Sequence, residues 1–211
     1  MILITACFPI ESKWITRRPG VCVVRTAIGE RSRTTLEGLD SEMSEPSHII
    51  AAGFSGGIDP RIRRGDLFLA RSVRHQGEEI HIDPELLGRA QAALSAGSAD
   101  LHVGLCESAD HVLGSDEKRT LAEDGLAAVD MESGPIGRWA AERGIPFLAL
   151  RVVLDPAESD LPFPVDRPLW SSAFRHPVSA VRVARHALGA GRVLGTAVDS
   201  VIDALRRGSN A

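Results

Sequence analysis

The chain has 211 residues, of which 44% are hydrophobic and 25% charged, and its formal net charge is −4. This length suits one domain with a core of its own, which needs neither disulfides nor a metal to fold. No apolar run approaches the ~18 residues of a membrane span, and the mild negative charge argues against nucleic-acid binding. The composition predicts a single domain over residues 1–211.

The first half of the chain predicts four strands. Short apolar runs rich in β-branched residues and bounded by glycine or proline are typical of buried strands. The first run follows Met1 without a basic segment before it, so it is interpreted as a strand rather than a secretory signal. The four runs are Ile2–Cys7, Val21–Thr26, Ser47–Ala52 and Asp66–Val73.

The second half predicts helices that alternate with strands. Apolar residues recur at helical spacing in Pro84–Ala96 and again from His176 onward, where Leu194, Val198, Val201 and Leu205 form one stripe. Such alternation favours an α/β fold, a three-layer αβα domain with a central mixed β-sheet. The remaining elements are strands at His102–Cys106, Ala127–Met131 and Phe147–Leu154, and helices at Asp116–Leu126 and Ser133–Arg143.

Cysteine and proline usage adds two expectations. Cys7, Cys22 and Cys106 each lie in an apolar run without metal-ligand spacing, which indicates reduced thiols, a cytoplasmic protein and no metal site. Prolines interrupt the chain after the last strand, which predicts a loop over a site at Glu158–Pro168.

A serine in a glycine cluster is the first candidate for chemistry. Gly53-Phe54-Ser55-Gly56-Gly57 matches the G-x-S-x-G pattern of a nucleophile elbow and follows a strand. An elbow also requires a helix directly after it, whereas this segment leads into another strand and no HGGG-type loop is present. We therefore predict that Ser55 is not a nucleophile. The cluster is interpreted as a tight turn that brings backbone close to a ligand or a strand.

Three carboxylates follow predicted strands, namely Glu11, Glu132 and Asp155. Ligands of α/β proteins bind beyond the carboxyl ends of strands, and a carboxylate there costs free energy unless it is paired or used. Singly, each has a structural explanation, such as charge complementarity at a helix start for Glu132 or a turn at Asp155. Together they favour a site that holds a polar ring and protonates its leaving group, which is the chemistry of cleaving a nucleoside.

Several segments of the first 157 residues resemble the superfamily of purine nucleoside phosphorylases and methylthioadenosine/S-adenosylhomocysteine nucleosidases. The most specific is Asp130-Met131-Glu132-Ser133, followed by Gly-Ile-Pro and then by Arg151-x-x-x-Asp155. The stretch from Glu117-Lys118 to Met131-Glu132, together with Asp155-Pro156-Ala157, looks most like the hopanoid-associated phosphorylases, which act on adenosylhopane. The other matching segments are Thr26–Gly29, Ala52–Ile58 and Arg64–Asp66.

The resemblance implies a role for each carboxylate. Asp155 would protonate the purine N7, Glu132 would hold both ribose hydroxyls, and Glu11 would activate water in the hydrolytic branch. It also implies that no cofactor is needed, that phosphate is a possible co-substrate, and that the protein is a homo-oligomer, with a dimer favoured. The other expected substrate-binding residues are Met131, Val112, Leu113, Ile28, Gly29, Phe54 and Gly53.

Departures from the family pattern leave the nucleophile open between water and phosphate. Ala51 and Phe54 stand where trimeric and hexameric phosphorylases carry an arginine and a serine or threonine. Arg25 and Arg31 could supply phosphate contacts, although surface ion pairing is the expected role of both. The hopanoid-type resemblance favours phosphorolysis, with hydrolysis as the alternative. An alternative of another class is a nucleoside-binding protein without turnover, which the joint presence of three carboxylates disfavours.

The resemblance also places the segment after Asp155 near the ribose 5′ position. Phe163, Trp170 and Phe174 would there bury a hydrocarbon substituent, as in a lipid-linked adenosine. The alternative is that these aromatic side chains pack into the core or into a subunit interface.

Overall fold

The computed structural model of the chain describes residues 1–39, 44–158 and 177–208. Its strands are β1 (Ile2–Ala6), β2 (Val21–Arg25), β3 (His48–Gly57), β4 (Leu67–His75), β5 (Glu78–His81), β6 (Leu101–Ser108), β7 (Leu126–Asp130) and β8 (Phe147–Asp155). Its helices are α1 (Pro9–Ser12), α2 (Arg31–Glu37), α3 (Pro84–Leu94), α4 (Ser115–Glu123), α5 (Ser133–Ala141) and α6 (Pro177–Gly208).

The strands form one mixed sheet whose pairing closes on itself. β3 pairs in parallel with β8, which pairs antiparallel with β4. β4 and β6 are parallel, as are β6 and β7, and β7 returns antiparallel to β3 at Gly56 and Gly57. β1 and β2 extend the sheet in parallel from β3, and β5 forms a hairpin with β4. This closed ring of five strands, β3, β8, β4, β6 and β7, brings the ends of β3, β7 and β8 together.

Two groups of helices cover the sheet and bury its apolar residues. α1 and α3 pack against α6, which lies on β3 and β8, whereas α2 packs against α5, which contacts β4 and β8. The predicted stripe of α6 is in the core, with Leu194, Val198 and Val201 fully buried and Leu205 1% exposed. The α/β class with a central mixed sheet is therefore confirmed. No helix in the described ranges has an apolar stretch long enough to cross a membrane.

The glycine cluster differs from its prediction. β3 does not end at Ala52 but continues to Gly57, because residues 53–55 keep their pairing with β8. The interpretation of the cluster as a tight turn is therefore wrong. Its glycines serve close approach within a strand, since a Cβ at Gly53 would lie 2.3 Å from Arg151 Nη1.

The apolar pattern of the sequence predicts neither β5 nor α2. Only Ile80 is apolar in β5, and only Ser32 and Leu36 are buried in α2, so neither carries a periodic apolar signal. The predicted loop at Glu158–Pro168 lies outside the described residues apart from Glu158, as do Phe163, Trp170 and Phe174.

Candidate active site

A cavity opens where β1, β3, β7 and β8 end, and most of the predicted site residues line it. Four carboxylates are present, three of them predicted, and the other walls are mainly apolar. The lining consists of Glu11, Asp130, Glu132, Asp155, Phe8, Ile28, Phe54, Val112, Leu113, Val129, Met131, Leu154, Ser55, Gly56, His111 and Lys118. The fold thus brings together eight of the ten residues expected at the site, all except Gly29 and Gly53.

Glu11 is held beside the cavity by backbone N–H groups. Its Oε2 accepts hydrogen bonds from the N–H groups of Cys7 at 2.8 Å and Phe8 at 2.7 Å. Its Oε1 accepts one at 2.9 Å from Phe54 N, in the glycine cluster. Burial raises the pKa of Glu11 above its ordinary value, while these bonds and the charge of Arg151 act in the opposite direction. A fixed carboxyl group with a raised pKa is suited to act as a general base.

Glu132 follows β7 and precedes α5. Its carboxylate accepts no capping hydrogen bond from the first turn of that helix, and its Oε1 instead accepts one at 3.3 Å from Gly29 N. Gly29 has a φ of 62°, in the left-handed region that favours glycine. Burial raises the pKa of Glu132 to about 7. The charge of Arg151 lowers this pKa, whereas the negative charges of Asp130 and Glu11 raise it further. The geometry does not support a capping role and leaves the carboxylate facing the cavity.

Arg151 connects these carboxylates, although the sequence alone indicates no role for it. It is 2% exposed, and its Nε and Nη2 each donate a 2.7 Å hydrogen bond, to Asp130 Oδ2 and Ser133 Oγ respectively. Its Nη1 lies against Gly53, so Gly53 makes room for the arginine and does not line the cavity. The available signal was a basic residue inside an otherwise apolar predicted strand, Phe147–Leu154, because a buried charge needs a partner.

Asp155 forms a buried ion pair with Lys118, a residue to which the sequence alone also assigns no role. Lys118 Nζ lies 2.5 Å from Asp155 Oδ2, and the two side chains are 1% and 9% exposed. Burial raises the pKa of Asp155, and the neighbouring ammonium opposes that rise. Asp155 is the last residue of β8, so its carboxylate belongs to the cavity rather than to a turn. The sequence feature that could have pointed to Lys118 is its rarity, since Lys13 and Lys118 are the only lysines among the 24 lysine and arginine residues.

The remaining predicted residues lie in the walls of this cavity or of an adjoining one. Val112 and Leu113 follow β6, and Val112 is 38% exposed at the cavity, where it can contact a flat ring. Gly29 lines an adjoining cavity together with Arg31, and Met131 lines both cavities. A polar ligand that enters from this side would meet apolar side chains on its faces and carboxylates at its edges.

Ser55 lies within β3 and not at a turn from a strand into a helix. Its side chain is buried, and its hydroxyl has no hydrogen-bond partner among the described residues. Neither the exposed position nor the base of an activated serine is therefore present in the part of the chain described.

The solved structures that this chain resembles share its fold. A 5′-methylthioadenosine/S-adenosylhomocysteine nucleosidase from S. pneumoniae, solved with the transition-state inhibitor MT-ImmA, superposes with a TM-score of 0.75 at 18% identity, over 97% of this chain and 99% of its own. The futalosine hydrolase of Helicobacter pylori also has a TM-score of 0.75, at 15% identity, over 96% and 97% of the two chains.

Sequence comparison defines the family. A 5′-methylthioadenosine/S-adenosylhomocysteine nucleosidase of Exiguobacterium sp. is 25% identical over 162 residues, which cover 66% of this chain and 69% of the relative. The model of the phosphorylase superfamily matches residues 13–188, which is most of the chain and includes Asp130–Ser133, Arg151 and Asp155. The chain therefore belongs to the phosphorylase superfamily.

Proposed function

We propose that the protein cleaves the N-glycosidic bond of purine nucleosides and that water is the nucleophile. The observation that carries this proposal is the convergence of Glu11, Glu132 and Asp155 on one cavity with apolar walls. Cleavage of a nucleoside needs a proton for the base, a hold on the sugar and an activated nucleophile, and three separately held carboxylates can supply these.

Asp155 supplies the proton. A purine leaves poorly as an anion, and its N7 accepts a proton as the bond between the sugar carbon and N9 breaks. Because burial raises the pKa of Asp155, the carboxyl group can carry a proton at a pH where an exposed aspartate would not. A positioned general acid of this kind contributes about 10²–10⁴-fold to a rate.

Glu132 binds the sugar. A carboxylate accepts two hydrogen bonds in a fixed geometry, which matches the neighbouring 2′ and 3′ hydroxyls of a ribose. Met131 precedes it and lines the same cavity, where its side chain can pack against the sugar ring.

Glu11 activates water. As the C–N bond breaks, water adds to the anomeric carbon and its proton passes to Glu11, while the bonding electrons and the proton of Asp155 go to the base. The charge of the cavity supports this choice of nucleophile. The described lining holds four carboxylates, and its one lysine is already paired with Asp155. Arg151, beside the cavity, is likewise paired with Asp130, so both cations are engaged by carboxylates and are poor partners for a phosphate dianion.

Two further observations bear on the nucleophile. Arg31, one of the candidates for a phosphate contact, is exposed and lines the adjoining cavity. The relatives named above are nucleosidases and a hydrolase, which cleave with water. Phosphorolysis, an adenosylhopane-like substrate and a homo-oligomer all stay predictions of the sequence. The segment expected to contact the 5′ substituent lies outside the described residues.

A substrate panel tests the proposal. The purified protein is incubated with adenosine, inosine, methylthioadenosine and 5′-alkyl adenosines, with and without phosphate. Release of free base with free sugar supports a nucleosidase, whereas phosphate-dependent formation of a sugar 1-phosphate would show a phosphorylase. Tight binding of these nucleosides without turnover would instead show the binding protein of the alternative hypothesis.

A further inference from the structure

Lys118 is enclosed within the site rather than placed on the surface of its helix. It is the buried residue of α4, and its Nζ lies 2.5 Å from Asp155 Oδ2 and 3.4 Å from Asp155 O. A Cβ at Gly56 would lie 3.3 Å from Lys118 Cε and 3.0 Å from Asp155 Oδ2. Because Gly56 has no side chain, there is room beside it for the ion pair of Lys118 and Asp155.

We propose that Lys118 is a positioning residue for the proposed reaction: it orients the Asp155 carboxyl group and stabilises the carboxylate that forms when Asp155 gives its proton to the leaving purine. The inference rests on the proposed function, because it takes Asp155 as the general acid. Lys118 itself takes no part in the proton and bond transfers of that reaction.

The geometry divides the two oxygens of Asp155 between two tasks. Oδ2 is engaged by the ammonium group, so Oδ1 is the oxygen that we assign to the purine N7. An arginine would suit this place poorly, because its guanidinium is a planar fork with five donors, whereas the ammonium of lysine is compact. A lysine here, in a chain whose basic residues are otherwise arginines except for Lys13, fits a demand for that shape.

The charge balance shows when Lys118 acts. A purine N7 facing Asp155 is an acceptor and favours the protonated carboxyl group before reaction. During the reaction the proton moves from Oδ1 to N7, the electrons of the C–N bond move to the base, and Asp155 becomes an anion. A buried ammonium 2.5 Å away attracts that anion far more strongly than it attracts the neutral acid. Lys118 therefore lowers the energy of the transition state more than that of the bound substrate.

Other charged groups surround Asp155 without taking this role. Arg64 donates a 2.7 Å hydrogen bond from Nε to Leu154 O, and its charge also lowers the pKa of Asp155. Glu11, Glu132 and the Arg151–Asp130 pair lie elsewhere around the cavity, together with His111. Among the described groups, the ammonium of Lys118 makes the ion pair with the Asp155 carboxylate.

Kinetics of Lys118→Met test the proposal. For adenosine we expect kcat to fall by about 10²-fold, as when one fixed electrostatic group is removed from an active site, with KM changed only a few-fold. The alkaline limb of kcat/KM should move to higher pH, because Asp155 loses the cation that lowers its pKa. On a 4-nitrophenyl riboside, whose leaving group needs no proton, Lys118→Met should lose little activity. Equal losses on the two substrates, or an unmoved alkaline limb, would overturn the inference.

Arg119→Met is the matched control. Arg119 follows Lys118 on the same helix, is 72% exposed and pairs with Asp116 on the surface. This variant removes the same charge from the same helix, and it should retain the kinetics and the pH profile of the wild type. A loss equal to that of Lys118→Met would mean that the net charge of the helix, rather than the ion pair, sets the rate.

Two measurements keep the inference testable if the single variant is poorly stable or if no substrate is turned over. In an Asp155→Asn background residue 155 gives no proton and forms no anion, so adding Lys118→Met should cost no further activity, whereas additive losses would contradict the proposal. In protein labelled with ¹³C at aspartate carboxyls, the Asp155 signal, assigned through Asp155→Asn, should titrate at higher pH in Lys118→Met. An unchanged titration would refute the inference independently of turnover, and a failed substrate panel would refute the proposed function instead.

Discussion

The guanidinium of Arg151 lies directly against the backbone of Gly53, so closely that a Cβ at residue 53 would be 2.3 Å from Nη1 and 3.1 Å from Glu11 Oε1. The side chain is buried, so it cannot move aside into solvent. The absence of a side chain at Gly53 is therefore a condition for placing a positive charge beside the carboxylates of the site.

Gly53→Ala is expected to destabilise the protein by about 1–3 kcal/mol, the usual cost of forcing extra atoms into a packed interior. Denaturant unfolding measures this loss. Gly88→Ala is the control, because Gly88 lies within α3 with nothing within 4 Å of its Cβ position. There the same change should stabilise the protein by about 0.5–1 kcal/mol through helix propensity. Equal effects at the two positions would show that Arg151 does not confine residue 53.

Asp155→Asn is expected to lower kcat for purine nucleosides by about 10²–10⁴-fold. Asparagine keeps the size of the side chain and an oxygen for Lys118, but it cannot give a proton to N7. Steady-state kinetics with adenosine measure the effect, and a circular dichroism melt checks that the variant is folded. Turnover at the wild-type rate would remove Asp155 from its role as the acid.

Glu132→Gln is expected to weaken the binding of ribosides more than that of 2′-deoxyribosides. Glutamine keeps an oxygen for Gly29 N but loses the charge that strengthens hydrogen bonds from hydroxyls, by about 1–2 kcal/mol in total. The ratio of kcat/KM for adenosine and 2′-deoxyadenosine is the measurement. Equal losses on both substrates would mean that Glu132 serves the structure and not the sugar.

Glu132→Gln is also expected to change how the free energy of unfolding depends on pH. The pKa of Glu132 is raised from 4.5 to about 7, so its contribution to stability is complete below pH 4.5 and is lost as the pH rises through about 7. At pH 8 the wild type carries a buried charge that glutamine removes. Glu132→Gln should therefore raise the free energy of unfolding at pH 8 by about 1–3 kcal/mol, with a smaller gain at pH 5. A loss of stability at pH 8 would contradict the raised pKa.

The elements with strong apolar patterns could be predicted from the sequence, and those shaped by close packing could not. Strands β1, β2 and β8 and the stripe of α6 follow from runs of apolar residues, and their predicted and observed ends differ by one residue at most in the strands. For β3 the sequence predicts an end at Ala52, which is too early, because Gly53 and Gly56 suggest a turn. Their true role depends on Arg151, Lys118 and Asp155, which come close only after the sheet has closed.

At the candidate site, too, some residues could be predicted from the local sequence and others depend on tertiary packing. Glu11, Glu132 and Asp155 could be chosen because an acidic residue after a strand is locally unusual, and all three line the cavity. Lys118 lies on a short polar helix, and nothing within that helix indicates that its side chain is buried beside a residue 37 positions away. Pairings of that kind are set by tertiary structure, so a local pattern does not show them.

The measurement that tests the central claim most directly is turnover of adenosine in H₂¹⁸O without phosphate. Hydrolysis predicts free adenine and ribose that carries one ¹⁸O atom, with a rate unchanged when phosphate is added and strongly reduced in Glu11→Gln. Cleavage only in the presence of phosphate, with ribose 1-phosphate as the product, would contradict the account and restore the phosphorolytic prediction.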